Sequence, residues 1–112
     1  MITAREVLKI QKEFKENDER LPILFDVLGD SRRFPMFKLL MTHHGLCVTE
    51  IAKVFNISTP AASQHLRVLE MAGLIEKERM GQMTCYKIRK RNPLTRRITK
   101  IFGLKGRAKL RS

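Results

Sequence analysis

Apolar residues recur at helical spacing along most of the chain, and the period drops to two in one place only. Over residues 3–15, Val7, Ile10 and Phe14 line one side, Leu8 and Gln11 flank it, and charges fill the rest. That stripe predicts an amphipathic helix, with Thr3 and Glu6 at capping-box spacing. Asn17, Asp18 and Glu19 break the pattern. A short second helix is predicted over 22–28, with Ile23, Leu24, Val27 and Leu28 apolar, and Gly29 with Asp30 closes it. Asp30 or Ser31 can cap a third helix that ends near His43 and turns Phe34, Phe37, Leu40 and Met41 inward. Pro35 has no N–H, so that helix should start at about residue 34 or open on an irregular turn. Gly45 stops it.

Residues 48–73 carry the densest set of signals. Ile51, Ala52, Val54 and Phe55 give a first helix its apolar face, and Asn56 tolerates the left-handed conformation a tight turn needs. Ser58 or Thr59 can cap a second helix, and Pro60 in its first turn costs no hydrogen bond. Ala62, Leu66, Leu69 and Ala72 form its inward face. Gly73 ends that helix, 74–79 reads as a strand, Gly81 turns, and Met83–Ile88 reads as the partner. Strand alternation sends Thr84, Tyr86 and Ile88 to the core and leaves Met83, Cys85 and Lys87 on the other face. A last helix over 93–102 turns Leu94, Ile98 and Ile101 or Phe102 inward. The predicted class is therefore mainly α with a small β-hairpin wing. Helix, turn, helix, then hairpin is the winged helix-turn-helix order, with α-helices before and after that unit. The expected division is one domain over 1–102, including N- and C-terminal dimerisation helices, and a flexible basic tail over 103–112.

The outward face of the helix at about 59–72 changes the picture from fold to function. Thr59, Ser63, Gln64 and Arg67 lie there, with no carboxylate before Glu70. Hydroxyls, an amide and a guanidinium on one helical face are what a recognition helix presents in the major groove of double-stranded DNA. Gln64 is the candidate base reader, because its amide can pair bidentately with adenine; Arg67 is the candidate phosphate clamp. His65 is a further candidate for phosphate contact, with packing under the wing left open. Arg79, Gln82 and Lys87 on the wing are candidates for the backbone or the minor groove.

Charge supports a polyanionic partner. The chain carries a net +12, yet residues 1–78 hold eleven basic and eleven acidic side chains. Residues 79–112 hold twelve basic ones and no acid, so the whole excess lies in the wing and the C-terminal segment behind it. With 112 residues and no Trp, the chain forms one domain whose core depends on aliphatic residues and six Phe, and a dimer can complete it. No long apolar run predicts a membrane span or a signal-peptide core, and two cysteines without export features point to a cytoplasmic chain. No glycine-rich phosphate loop, carboxylate pair or activated nucleophile points to an enzyme, and no cofactor is implied.

The stretches LFDVLGDSRR with FKLL after it, LCVTEIA, ISTPAASQHLRVLEMAGLI and the wing GQMTCYKI resemble the ArsR family of winged-helix repressors. The resemblance covers 24–88, and its most specific part is the serine, x-His-Leu and Gly-Leu-Ile run after Ile57. It implies a homodimeric, sequence-specific repressor whose N-terminal helix packs across the dimer interface; a helix folded onto its own domain is the alternative. Pro35 departs from the family pattern. The family's Cys-Val-Cys metal pair is here Cys47-Val48-Thr49, which keeps one thiolate position and replaces the second with a hydroxyl, a poor ligand for soft metals. Its second site, on the C-terminal helix, is replaced by Thr95, Arg96, Arg97 and Lys100. His43, His44 and Cys47 are the remaining metal candidates, and Cys47 with Cys85 the redox candidates; the effector stays unknown. The competing function is a non-specific architectural or RNA-associated protein that binds through its basic tail. A third reading, a protein–protein adaptor, is opposed by the acid-free polar face.

Overall fold

The computed structural model describes residues 1–15 and 20–102. Its elements are α1 (Ala4–Lys15), α2 (Arg20–Leu28), α3 (Arg33–Thr42), α4 (Val48–Phe55), α5 (Thr59–Met71), β1 (Ile75–Met80), β2 (Met83–Ile88) and α6 (Pro93–Ile101). The expected basic tail at 103–112 lies outside the described residues.

Local chemistry accounts for the element ends. The Thr3 hydroxyl accepts from the Glu6 N–H at 3.2 Å, as the capping spacing predicts. Asp30 Oδ1 accepts from the N–H groups of Arg32 (2.8 Å) and Arg33 (3.1 Å), filling orphan donors at the start of α3. Pro35 sits in the first turn of α3, where it displaces no intrahelical bond, so the helix begins at Arg33 rather than later. Asn56 takes the left-handed conformation (φ 54°, ψ 49°) at the turn between α4 and α5. Ser58 caps α5, its hydroxyl accepting from Ala61 N–H at 3.2 Å.

The end of α5 decides where the wing goes. Gly73 has φ +82°, its N–H reaches Glu70 O (2.9 Å), and Leu74 N–H reaches Leu69 O (3.1 Å). These two bonds make a Schellman stop, which reverses the chain into β1. The two strands pair antiparallel from Ile75↔Ile88 to Met80↔Met83, so Gly81 (φ +65°) and Gln82 form the two-residue turn. Glycine with positive φ at the first central position is the hairpin turn whose twist matches the strands. Asn92 and Thr95 then tie α6 back: Asn92 Nδ2 and Thr95 Oγ1 both donate to Gly73 O, at 3.0 and 2.9 Å.

One core joins α2 to β2. Met36, Phe37, Leu40, Ile51, Ala62, Leu66, Leu69, Leu74 and Ile75 are all buried within it. Met36 replaces Phe34 as the inward residue at the start of α3; Phe34 is half-buried and meets Phe102 edge-to-face at 5.1 Å. Val54, expected inward, is exposed. Ile101 and Phe102 are exposed too, while Leu94 and Ile98 pack on the core. No residue of α1 is buried, so the amphipathic stripe stays largely open within the described chain. No helix is long and apolar enough to cross a membrane among the described residues.

Candidate nucleic-acid interface

The outward face of α5 forms because its inward face is so strictly apolar. Ala62, Leu66 and Leu69 are fully buried, and at 100° per residue the opposite side of the helix is centred on Pro60, Gln64 and Arg67. Thr59, Gln64 and Arg67 are exposed, and Ser63 is half-buried beside them. The α5 N-terminus therefore presents hydroxyl, amide and guanidinium groups to solvent, with no acidic residue in its first turn. This surface is the one the residue pattern predicts.

A cleft of about 490 Å³ separates this face from the wing. Thr59, Ser63 and Arg67 line it from α5, and Lys77, Gln82 and Thr84 line it from the hairpin. Lys77 and Thr49 are cleft residues that the sequence pattern did not single out. Lys77 could have been found by counting in twos from the buried Ile75, which puts Lys77 and Arg79 on the strand face turned toward α5. Tyr86 sits under the same cleft and is buried. Burial pushes its phenol pKa up, Glu70 pushes the same way, and the Arg67 guanidinium opposes both.

The remaining expected contacts divide. Arg79 and Gln82 are exposed on the hairpin. Lys87 is exposed as well but stands between two carboxylates, Glu76 at 3.8 Å and Glu78 at 3.9 Å. Its charge is partly neutralised on the hairpin face away from α5, so it is the weakest of the predicted wing cations. Arg91 is likewise engaged with Glu76 at 3.1 Å. His65 lies half-buried on the flank of α5 and does not line the cleft. The Asp30 carboxyl is held below its ordinary range, first by the Arg32 N–H, then by Arg33.

The metal candidates are not brought together. Among the described residues no group of three His, Cys, Asp or Glu side chains is placed to hold a metal ion. His43 Nδ1 pairs with the Thr42 hydroxyl at 2.9 Å, and Cys47 is bonded to Cys85. Cys85 also departs from simple alternation. Met83 and Lys87 are exposed on its strand face as expected, yet Cys85 is 1% exposed. The 46–47 segment explains this: Tyr86 N–H donates to Leu46 O at 3.2 Å, and Cys47 bridges Cys85 antiparallel along the outer edge of β2.

Comparison with known proteins places this geometry. The model of the bacterial regulatory protein arsR family matches residues 30–77, which run from the start of α3 into β1. The regulator YbzH of Bacillus subtilis, an uncharacterised HTH-type transcriptional regulator, is 39% identical over 72 residues, 63% of this chain and 72% of its own length. The chain belongs to the ArsR family. This ArsR-family chain is also 36% identical, over 67 residues, to the arsenic resistance transcriptional regulator ArsR1 of Pseudomonas putida. That match covers 60% of this chain and only about half (52%) of the Pseudomonas protein. The homodimeric winged helix-turn-helix DNA-binding domain Mb0332 of Mycobacterium bovis superposes with a TM-score of 0.64 at 21% identity, covering 92% of this chain and 85% of that fragment. That likeness shows the fold, a winged helix-turn-helix. The ArsR family is one of regulators rather than enzymes, in agreement with the absence of any catalytic motif in the sequence.

Proposed function

We propose that the chain is a homodimeric, sequence-specific DNA-binding transcriptional regulator of the repressor type, acting in the cytoplasm. The observation that carries this reading is the exposed polar face of α5 beside an open cleft to the wing. On binding, α5 enters the major groove, where Gln64 reads a base edge and Thr59, Ser63 and Arg67 contact base edges or phosphates. Arg79, Gln82 and Lys77 contact the backbone or minor groove from the wing, and Lys87, paired with Glu76 and Glu78, contributes least. The basic tail at 103–112 adds phosphate contacts, and the domain boundary falls at about residue 102.

A second copy is part of the same reading. On α1, Leu8 (66%) and Phe14 (71%) are exposed on the apolar stripe, and Phe25 of α2 (73%) and Ile101 of α6 (78%) are also bare. Large apolar side chains at this density mark an interface. A partner protomer covering them places two α5 helices on half-sites about one helical turn (~10 bp) or a multiple of it apart. The relation to Mb0332, described as homodimeric, supports this assembly. No effector is assigned: the cysteine-and-histidine set an ion would need is not assembled among the described residues.

The test is selection of duplexes from a random library followed by titration. The expected result is a palindromic sequence bound at least ~10³-fold more tightly than scrambled DNA at physiological salt. Equal affinity for scrambled duplexes and structured RNA would instead support the architectural alternative.

A further inference from the structure

We propose that Cys47 and Cys85 form a thiol-modification site, oxidised by small-molecule disulfides, that sets how firmly the wing is held against the helix-turn-helix. The two are the chain's entire cysteine content. They lie 38 positions apart in sequence, yet the fold pairs them directly across an antiparallel bridge, with their side chains joined. Their positions matter more than their pairing. Cys47 is the N-cap of α4, the first helix of the helix-turn-helix, and Cys85 is in the middle of β2, the second wing strand.

The bond therefore spans the two bodies whose relative placement shapes the cleft. β1 is attached to α5 through the Gly73 stop, whereas the outer edge of β2 is attached to the segment before α4 through the Tyr86 N–H to Leu46 O hydrogen bond and this disulfide. Removing the covalent tie leaves the wing edge held by hydrogen bonding and side-chain packing alone. Cleft residues Gln82 and Thr84 are on the same strand–turn segment, so their positions follow the wing.

The chemistry assigns each thiol a role. Cys47 is 5% exposed, at the wall of the cleft, and caps the start of α4, where the N-terminal dipole favours a thiolate; its N–H donates to Glu50 Oε1 at 3.0 Å, which holds the cap in place. Cys85, 1% exposed against 5% for Cys47, is the less accessible of the pair. In the reduced chain the Cys47 thiolate attacks one sulfur of a disulfide RSSR, forming a Cys47–SR mixed disulfide and releasing RS⁻. Cys85 loses its proton to solvent and attacks Cys47 Sγ, closing the protein bond and expelling the second RS⁻. Two protein thiols are oxidised by two electrons, and RSSR is reduced to two RSH once the protons are taken up. A bond of this kind in a reducing compartment is transient and redox-sensing rather than permanent.

The effect on duplex binding rests on the function proposed above, so the experiment keeps the two apart. The full chain is equilibrated across ratios of glutathione to glutathione disulfide, and its thiols are counted by alkylation and mass. At each end, amide exchange in β1 and β2 and titration of the selected duplex are measured, with Cys85→Ser and Cys47→Ser as controls. The expected result is a reversible two-thiol transition, wing amides exchanging about tenfold faster in the reduced chain, and duplex affinity about tenfold weaker. Both serine variants then match the reduced wild type in every buffer. A bond that neither forms nor opens across the ratios, or wing exchange identical in both states, overturns the proposal. Tight binding of equal strength in both states overturns it as well. Absence of duplex binding in either state, with wing exchange still following the thiols, refutes the DNA-binding reading and leaves the thiol site standing.

Discussion

Asn56 shows how one backbone angle sets the geometry of the interface. Its left-handed conformation turns α4 into α5, and a β-carbon there costs about 1–2 kcal/mol for residues other than Gly, Asn or Asp. Asn56→Ala should therefore lower stability by about 1 kcal/mol while Asn56→Gly stays within a few tenths, as read by denaturant unfolding. Gly73 is a harder case. At φ +82° an added Cβ would also meet Asn92 Nδ2 at 2.8 Å, the group that donates to Gly73 O. Gly73→Ala is expected to cost about 1–2 kcal/mol from the angle alone and to loosen α6 in addition. Asp30 gives a pH signature. Its carboxyl is depressed from the ordinary 3.8 by the N–H groups of Arg32 and Arg33, so its contribution is present above that value and is lost as pH falls through the lower folded value. Asp30→Ala should destabilise the chain at neutral pH, and the gap from wild type should close in unfolding measurements as acid is added below 3.8.

At the scale of elements, the hairpin is where most of the unexpected structure lies. Gly73, Gly81 and the alternating Thr84, Tyr86 and Ile88 made both strands legible to within a residue, because turn glycines and period two are local signals. The burial of Cys85 was not legible. It depends on the 46–47 segment docking along β2, a pairing across 38 positions that no local spacing encodes. The neutralisation of Lys87 was hidden for a related reason: its partners Glu76 and Glu78 lie on the opposite strand and appear only once the register is known. The inward choice of Met36 over Phe34 reflects a rotation of α3 that periodicity leaves open when apolar residues crowd one turn. The outward orientation of Gln64 and Arg67 was legible because Ala62, Leu66 and Leu69 admit a single inward side. Closing a 38-residue loop removes about 4 kcal/mol of unfolded-state entropy in the chain-entropy model. Reduction should accordingly lower the unfolding midpoint markedly, whereas a change within error would mean that the tie carries no stability.

For the molecule as a whole, exposed apolar residues on α1 accompany a polar outward face on α5. The stripe on α1 is not buried within the described chain, and a second protomer is the partner proposed for it. Leu8→Asp or Phe14→Asp should shift the chain from dimer to monomer in analytical ultracentrifugation and weaken duplex binding with it; an unchanged dimer would place the interface elsewhere. Charge acts over the same scale, since the excess of basic residues lies beyond Glu78. Arg97→Ala should reduce the slope of log affinity against log salt by about one and leave sequence preference alone. The most direct measurement is a comparison of Gln64→Ala with wild type on the selected duplex and on the same duplex altered one base pair at a time. The expected result is a loss of about 1–3 kcal/mol on the selected sequence, with discrimination relaxed at one base pair in each half-site. Equal weakening on every duplex, or no change on any, would contradict the claim that the outward face of α5 reads DNA.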